Sequence, residues 1–120
     1  MKIRIKSNSV RYRLTRSDVQ LFAENGYLAD NVDFGNLSLI YVLKVTDGEQ
    51  LSATFDNNTI TLFMPESMVS EWINTDRTGF ENDPEPAGLY LLIEKDFTCL
   101  DNVAEDQSDN YPNPLAKKSL

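Results

Sequence analysis

Apolar and basic residues exchange at every step in KIRIK (2–6) and again in VRYRL (10–14), with SNS between them. A period of two is that of a strand, so the pattern predicts two short strands joined by a turn. Ile3, Ile5, Val10, Tyr12 and Leu14 are expected to face an interior. Lys2, Arg4, Lys6, Arg11 and Arg13 then share the opposite surface. The period lengthens in LTRSDVQLFAENGY (14–27). There Thr15 and Asp18 stand at capping-box spacing, Leu14 and Val19 fit a hydrophobic staple, and Gly26 sits where a left-handed C-terminal cap belongs. A helix burying Val19, Phe22 and Ala23 is expected, with Phe22 and Tyr27 spaced for the apolar contact that often accompanies such a cap.

LSLIYVLKV (37–45) is almost continuously apolar, which predicts a central strand covered on both faces. Asp47 and Gly48 turn the chain. LSATFD and TITLFMP follow, separated by Asn57-Asn58. A two-residue turn there would set Phe55 opposite Ile60, Ala53 opposite Leu62 and Leu51 opposite Met64, all on one face. After Pro65 the spacing of Met68, Val69, Trp72 and Ile73 predicts a short helix. ENDPEPAG (81–88) reads as a polar loop and GLYLLIEKDF (88–97) as a last strand. Strands in series with two short helices predict an α+β domain, built on a mainly antiparallel curled sheet or partly closed barrel of about six to seven strands. No internal repeat is evident in the text of the sequence. One domain is expected over residues 1–114, with 115–120 as a frayed end.

Composition removes whole classes of function. Eleven basic residues against 19 acidic give a net charge of −8, which argues against a phosphate-backbone binder and so against nucleic acid. No apolar window is long enough for a membrane span, and the start lacks a leader-like apolar region, so a cytoplasmic protein is expected. There is no histidine, which deletes the usual general base, the middle member of catalytic triads and the commonest transition-metal ligand. With five glycines, at 26, 35, 48, 79 and 88, neither a dinucleotide fingerprint nor a phosphate-cradling loop can be written. No cofactor is expected.

Three candidate sites remain. Lys2, Arg4, Lys6, Arg11 and Arg13, followed by Arg16, meet no acid before Asp18, and on one strand face they could bind a small anionic ligand or an acidic protein surface. Simple solvation of an edge hairpin is the plainer account and outweighs it. The lone Cys99 is a candidate thiol, but the carboxylates around it in sequence oppose a thiolate, and burial as a small hydrophobe outweighs reactivity. Asp101, Glu105 and Asp109 would share one face of a helix and could hold a hard cation. They lack the pattern of a calcium loop, and a solvated acidic loop outweighs a metal site. Tyr111-Pro112-Asn113-Pro114 reads as an extended strap laid over the domain, anchored by Tyr111.

MKIRIKSNSVRYRLTRSDV, LSATFDNNTITLFMP and DFTCLDNVAEDQSDNYPNP together resemble a family of small bacterial domains of unknown function from Gram-negative lineages such as Bacteroidetes. The resemblance spans the chain and is most distinctive at RYRL and in the DFTCLD to YPNP tail. It implies a bacterial origin and a single cytosolic domain, and it carries no catalytic residue. The leading expectation is a non-enzymatic binding domain that uses the basic hairpin. One rival is an enzyme whose cleft joins Cys99, carboxylates and the hairpin. The other is a homo-oligomerisation module in which the hairpin meets an acidic surface.

Overall fold

The computed structural model describes residues 1–84, 86–97 and 107–112. The chain runs β1 (Lys2–Lys6), β2 (Ser9–Leu14), α1 (Arg16–Asn25), β3 (Tyr27–Asp33), β4 (Ser38–Thr46), β5 (Ser52–Asp56), β6 (Thr59–Pro65), α2 (Glu66–Asn74), β7 (Gly79–Glu81) and β8 (Tyr90–Lys95). Two four-stranded sheets result, one ordered β1-β2-β8-β7 and the other β3-β4-β6-β5. Each sheet joins two antiparallel pairs through a parallel seam, β2 beside β8 and β4 beside β6.

The α+β class with two helices agrees with the pattern. The strand count and the mainly antiparallel sheet do not: among the described residues eight strands form two mixed sheets, with no closed barrel. The two unforeseen strands explain the difference. β3 (YLADNVD) carries three acidic or amide side chains and lies largely exposed at a sheet edge, so it has no apolar alternation to read. β7 is only three residues long and is held by pairing with β8.

The chain is also an internal structural repeat, contrary to the reading of the sequence. Each half runs β-β-α-β-β, and positions 50 apart correspond, since Tyr12 pairs with Ile93 in one seam as Leu62 pairs with Leu43 in the other. Val10 matches Ile60, Leu14 matches Met64, Val19 matches Val69 and Phe22 matches Trp72. The turn residues Ser7 and Asn57 even share φ near 50°. Between β1–α1 and β5–α2 only Asn8/Asn58, Ser17/Ser67 and Val19/Val69 retain the same residue, so the repeat keeps apolar character and loses identity. The halves interlock, each giving one hairpin to each sheet.

The local signals hold where they are strongest. Thr15 Oγ1 accepts from the Asp18 N–H at 3.3 Å, and Asp18 Oδ2 accepts from the Thr15 N–H at 3.1 Å, closing the capping box of α1. Gly26 ends the helix at φ 69°. The expected hairpin register is observed, with Phe55 opposite Ile60 and Ala53 opposite Leu62, while Leu51 is buried just ahead of β5. β4 is central, between β3 and β6.

The core draws Tyr12, Leu14 and Phe22 from the first half and Leu62, Met64 and Trp72 from the second into one cluster. Tyr12 donates its hydroxyl to the Ile60 carbonyl at 3.1 Å, which ties the two sheets together. Four expected core residues fall outside it, Ala23 among them, which lies exposed on α1. Ile5 and its counterpart Phe55 are 58% and 70% exposed at the hairpin tips, where they line a shallow apolar groove. Ile73 sits exposed on α2 beside a cleft.

Candidate functional site: a basic sheet face and a cleft between the helices

Strand pairing brings the five hairpin cations onto the outer face of the β1-β2-β8-β7 sheet. Arg4 stands directly across from Arg11, and Lys2 across from Arg13. Like charges directly opposed on a sheet repel. β8 supplies partial relief: Arg13 Nε donates to Glu94 Oε1 at 2.8 Å, and Arg11 Nε lies 3.5 Å from the same oxygen. Lys2 Nζ lies 2.9 Å from Asp96 Oδ2, a contact that is ionic and lacks hydrogen-bond alignment. Arg4 and Lys6 are exposed and form no ion pair among the described residues. Three of the five candidate cations are therefore engaged, and the free charge collects toward the hairpin tip.

The acidic candidates separate. Cys99, Asp101 and Glu105 lie outside the described residues. Asp109 is described, and it serves the start of α1: its Oδ1 accepts from the Ser17 hydroxyl at 2.9 Å and from the Ser17 N–H at 3.3 Å, and its carbonyl accepts from the Arg16 N–H at 3.1 Å. Hydrogen bonding, to Thr15 first and then to Ser17, holds this carboxyl below the ordinary range. A carboxylate at a helix N-terminus also meets free amide donors and the positive end of the dipole. Among the described residues no cluster of three or more cysteines and carboxylates could hold a metal ion.

Asp109 holds the described part of the segment read as a strap, Tyr111 and Pro112, while Asn113, Pro114 and the expected frayed end at 115–120 lie outside the described residues. The Tyr111 N–H donates to the Asp96 carbonyl at 2.8 Å, and its ring packs 5.8 Å from that of Phe97. Under this strap, α1, α2 and the end of β8 enclose a cleft of about 650 Å³. Arg16, Gln20, Asp76 and Lys95 supply its polar groups, and Trp72 and Tyr111 its aromatic walls. Lys95 is only 8% exposed. Its Nζ donates to the Thr75 carbonyl at 3.1 Å and stands 5.3 Å from the centre of the Tyr111 ring. Burial pushes the amine below its ordinary value, and Asp76 pulls partly back.

This cleft was not foreseen from the sequence. Its one legible signal is the parity of β8, where Leu91, Ile93 and Lys95 alternate inward, so that a lysine occupies an apolar position. Among the described residues no helix is long and apolar enough to cross a membrane. No curated protein and no solved structure matches the chain. The resemblance carried by RYRL and the DFTCLD to YPNP tail resolves at the level of the family: residues 1–115 match DUF7009, a family of unknown function, and the chain belongs to it.

Proposed function

We propose that the protein is a non-enzymatic binding domain of the bacterial cytoplasm, and that the outer face of β1 and β2 takes up a small anionic ligand or an acidic patch of a partner protein. The observation that carries this reading is the cross-strand Arg4/Arg11 pair with Lys6 beside it. Glu94 of β8 and Asp96 just beyond it engage Arg11, Arg13 and Lys2 and leave Arg4 and Lys6 as the open end of a positive surface. On a chain of net charge −8, a local concentration of cations set against one another is electrostatically costly unless an anion relieves it. Arginine and lysine here have different parts: the planar guanidiniums of Arg4 and Arg11 can each engage two oxygens, and Lys6 adds a flexible point charge.

Binding of this kind is screened by salt, since the face is open to solvent. Titration with tripolyphosphate, citrate and poly-glutamate at low and high ionic strength, followed by thermal shift, tests it. A ligand at a hundredfold its dissociation constant adds about 2.7 kcal/mol of stability. The expected result is stabilisation by at least one of these anions, weakened by salt and lost in the Arg4→Glu/Lys6→Glu variant, which leaves the β8 ion pairs intact. Equal stabilisation of that variant, or none of either protein, refutes the reading.

A further inference from the structure

The interlocked repeat supplies an internal reference for the cleft beneath the strap. The helix and seam positions there have counterparts 50 residues away, and a counterpart cavity is also present, lined by Phe22, Gly26, Val45, Glu66 and Val69. It measures about 350 Å³, against about 650 Å³ for the cleft at Lys95. Two differences account for the disparity. In the first half the Gly26 carbonyl accepts from the Val45 N–H, and in the second the Thr78 carbonyl accepts from the Lys95 N–H. That correspondence spans 52 positions, so two extra residues lie between α2 and β7 and carry the chain away from the seam. The side chains also change character: Val45 becomes Lys95 and Glu66 becomes Arg16, while Asp76 lies in the longer stretch between α2 and β7.

The fold therefore closes this position with a valine when nothing else is asked of it. A lysine there is not a structural requirement, and taking its ammonium out of water is costly. Of its three protons, the Thr75 carbonyl accepts one. The cavity also holds Arg16, and the one carboxylate among its lining residues is Asp76, with Asp109 beside Arg16 outside the lining. Thr75 and Thr78 add polar edges, and the rest of the wall is apolar or aromatic, from Val19, Trp72, Ile73, Phe97, Tyr111 and Pro112. The volume lies in the range of small-molecule sites.

We propose that this cleft is a second binding site, distinct from the basic sheet face, for a small organic monoanion: a carboxylate seated between Lys95 and Arg16, with an apolar body against Trp72 and Tyr111. Gln20 provides a neutral donor and acceptor at the rim, and the carboxylates of Asp76 and Asp109 offset part of the positive charge, which suits a monoanion better than a phosphate dianion.

Trp72 is the chain's only tryptophan and lines the cleft, so its fluorescence reports occupancy. The experiment titrates the full chain with hexanoate and benzoate, with hexanol and benzamide as uncharged matches, and with inorganic phosphate. Saturable change with a carboxylate is expected, at least about tenfold tighter than with its neutral match, as charged hydrogen bonds imply. Lys95→Met should erase that preference, and Val45 shows that the fold accepts an apolar residue in the equivalent place. Arg16→Gln, on the exposed start of α1, should weaken carboxylate binding in the same direction and serves if Lys95→Met fails to fold. Arg4→Glu/Lys6→Glu should leave it unchanged, which separates this site from the sheet face. No saturable response to either carboxylate, equal response to the neutral matches, tighter binding of phosphate, or wild-type affinity in both cleft variants would overturn the proposal.

Discussion

Gly79 occupies a position that no other residue can enter. A Cβ built there would lie 2.1 Å from the Ile93 carbonyl oxygen and 2.8 Å from Glu94 Cα, and both obstacles are backbone. Forcing atoms into a packed site costs about 1–3 kcal/mol, so Gly79→Ala should lower the unfolding free energy by that amount, read from a lowered midpoint in urea titrations. Gly26 is constrained differently, by φ of 69° and by Val45 Cγ1 at 3.0 Å from the added carbon. Lys95 works in the opposite sense. Because burial lowers its folded pKa, the unfolded chain binds the proton more tightly, and stability rises as pH climbs from that lowered value toward the ordinary 10.5. Lys95→Met should therefore melt higher than the wild type near neutral pH, with the gap narrowing as the solution becomes alkaline. A melting series of both proteins against pH checks this. The same lysine would then be unfavourable for stability and retained for binding, a trade-off common at functional sites.

At the scale of elements, α1 and the strap depend on each other. Thr15 and Asp18 close the capping box from within the helix, and Asp109 satisfies Ser17 from a segment more than ninety residues away. The Asp109 pKa is lowered from 3.8, so its contribution is fully present above that value and is lost as pH falls through the lower folded value. Acidification into that range should loosen the strap. Asp109→Ala should do so at neutral pH, read as faster hydrogen exchange of the Tyr111 amide, which the Asp96 carbonyl otherwise protects. At the second hairpin, Asn57 and Asn58 both have positive φ, 50° and 59°, which is the geometry that favours Asn-Gly. Asn58→Gly should accordingly be tolerated or mildly stabilising in thermal melts.

For the whole molecule, the decisive feature is that each half completes the other's sheets. The first half carries β1, β2, β3 and β4, but β1-β2 needs β8 and β3-β4 needs β6. Isolated two-stranded hairpins are marginal in water. Separate polypeptides of residues 1–50 and 51–120 should each lack cooperative folding by circular dichroism, and equimolar mixing should restore a cooperative melt. Two halves that fold independently would contradict the interlocked arrangement.

Much of the local structure was legible in the sequence because its causes are local. A period of two wrote the β1-β2 hairpin and its basic face, the Thr15/Asp18 pair and Gly26 bracketed α1, and Asn57-Asn58 set the register of β5 against β6. These signals act over a few residues. They do not state which strand lies beside which, and the parallel seams join residues as distant as Tyr12 and Ile93. Nor did they show a repeat whose two halves agree in burial and almost never in residue identity. The sequence determined most of the elements, β3 and β7 excepted, and the charge of the hairpin face. Only the tertiary structure decided that β8 would neutralise part of the hairpin, that Asp109 would cap a distant helix, and that Lys95 would be buried in a cleft. Each outcome depends on burying two half-cores against each other, which no single segment can express.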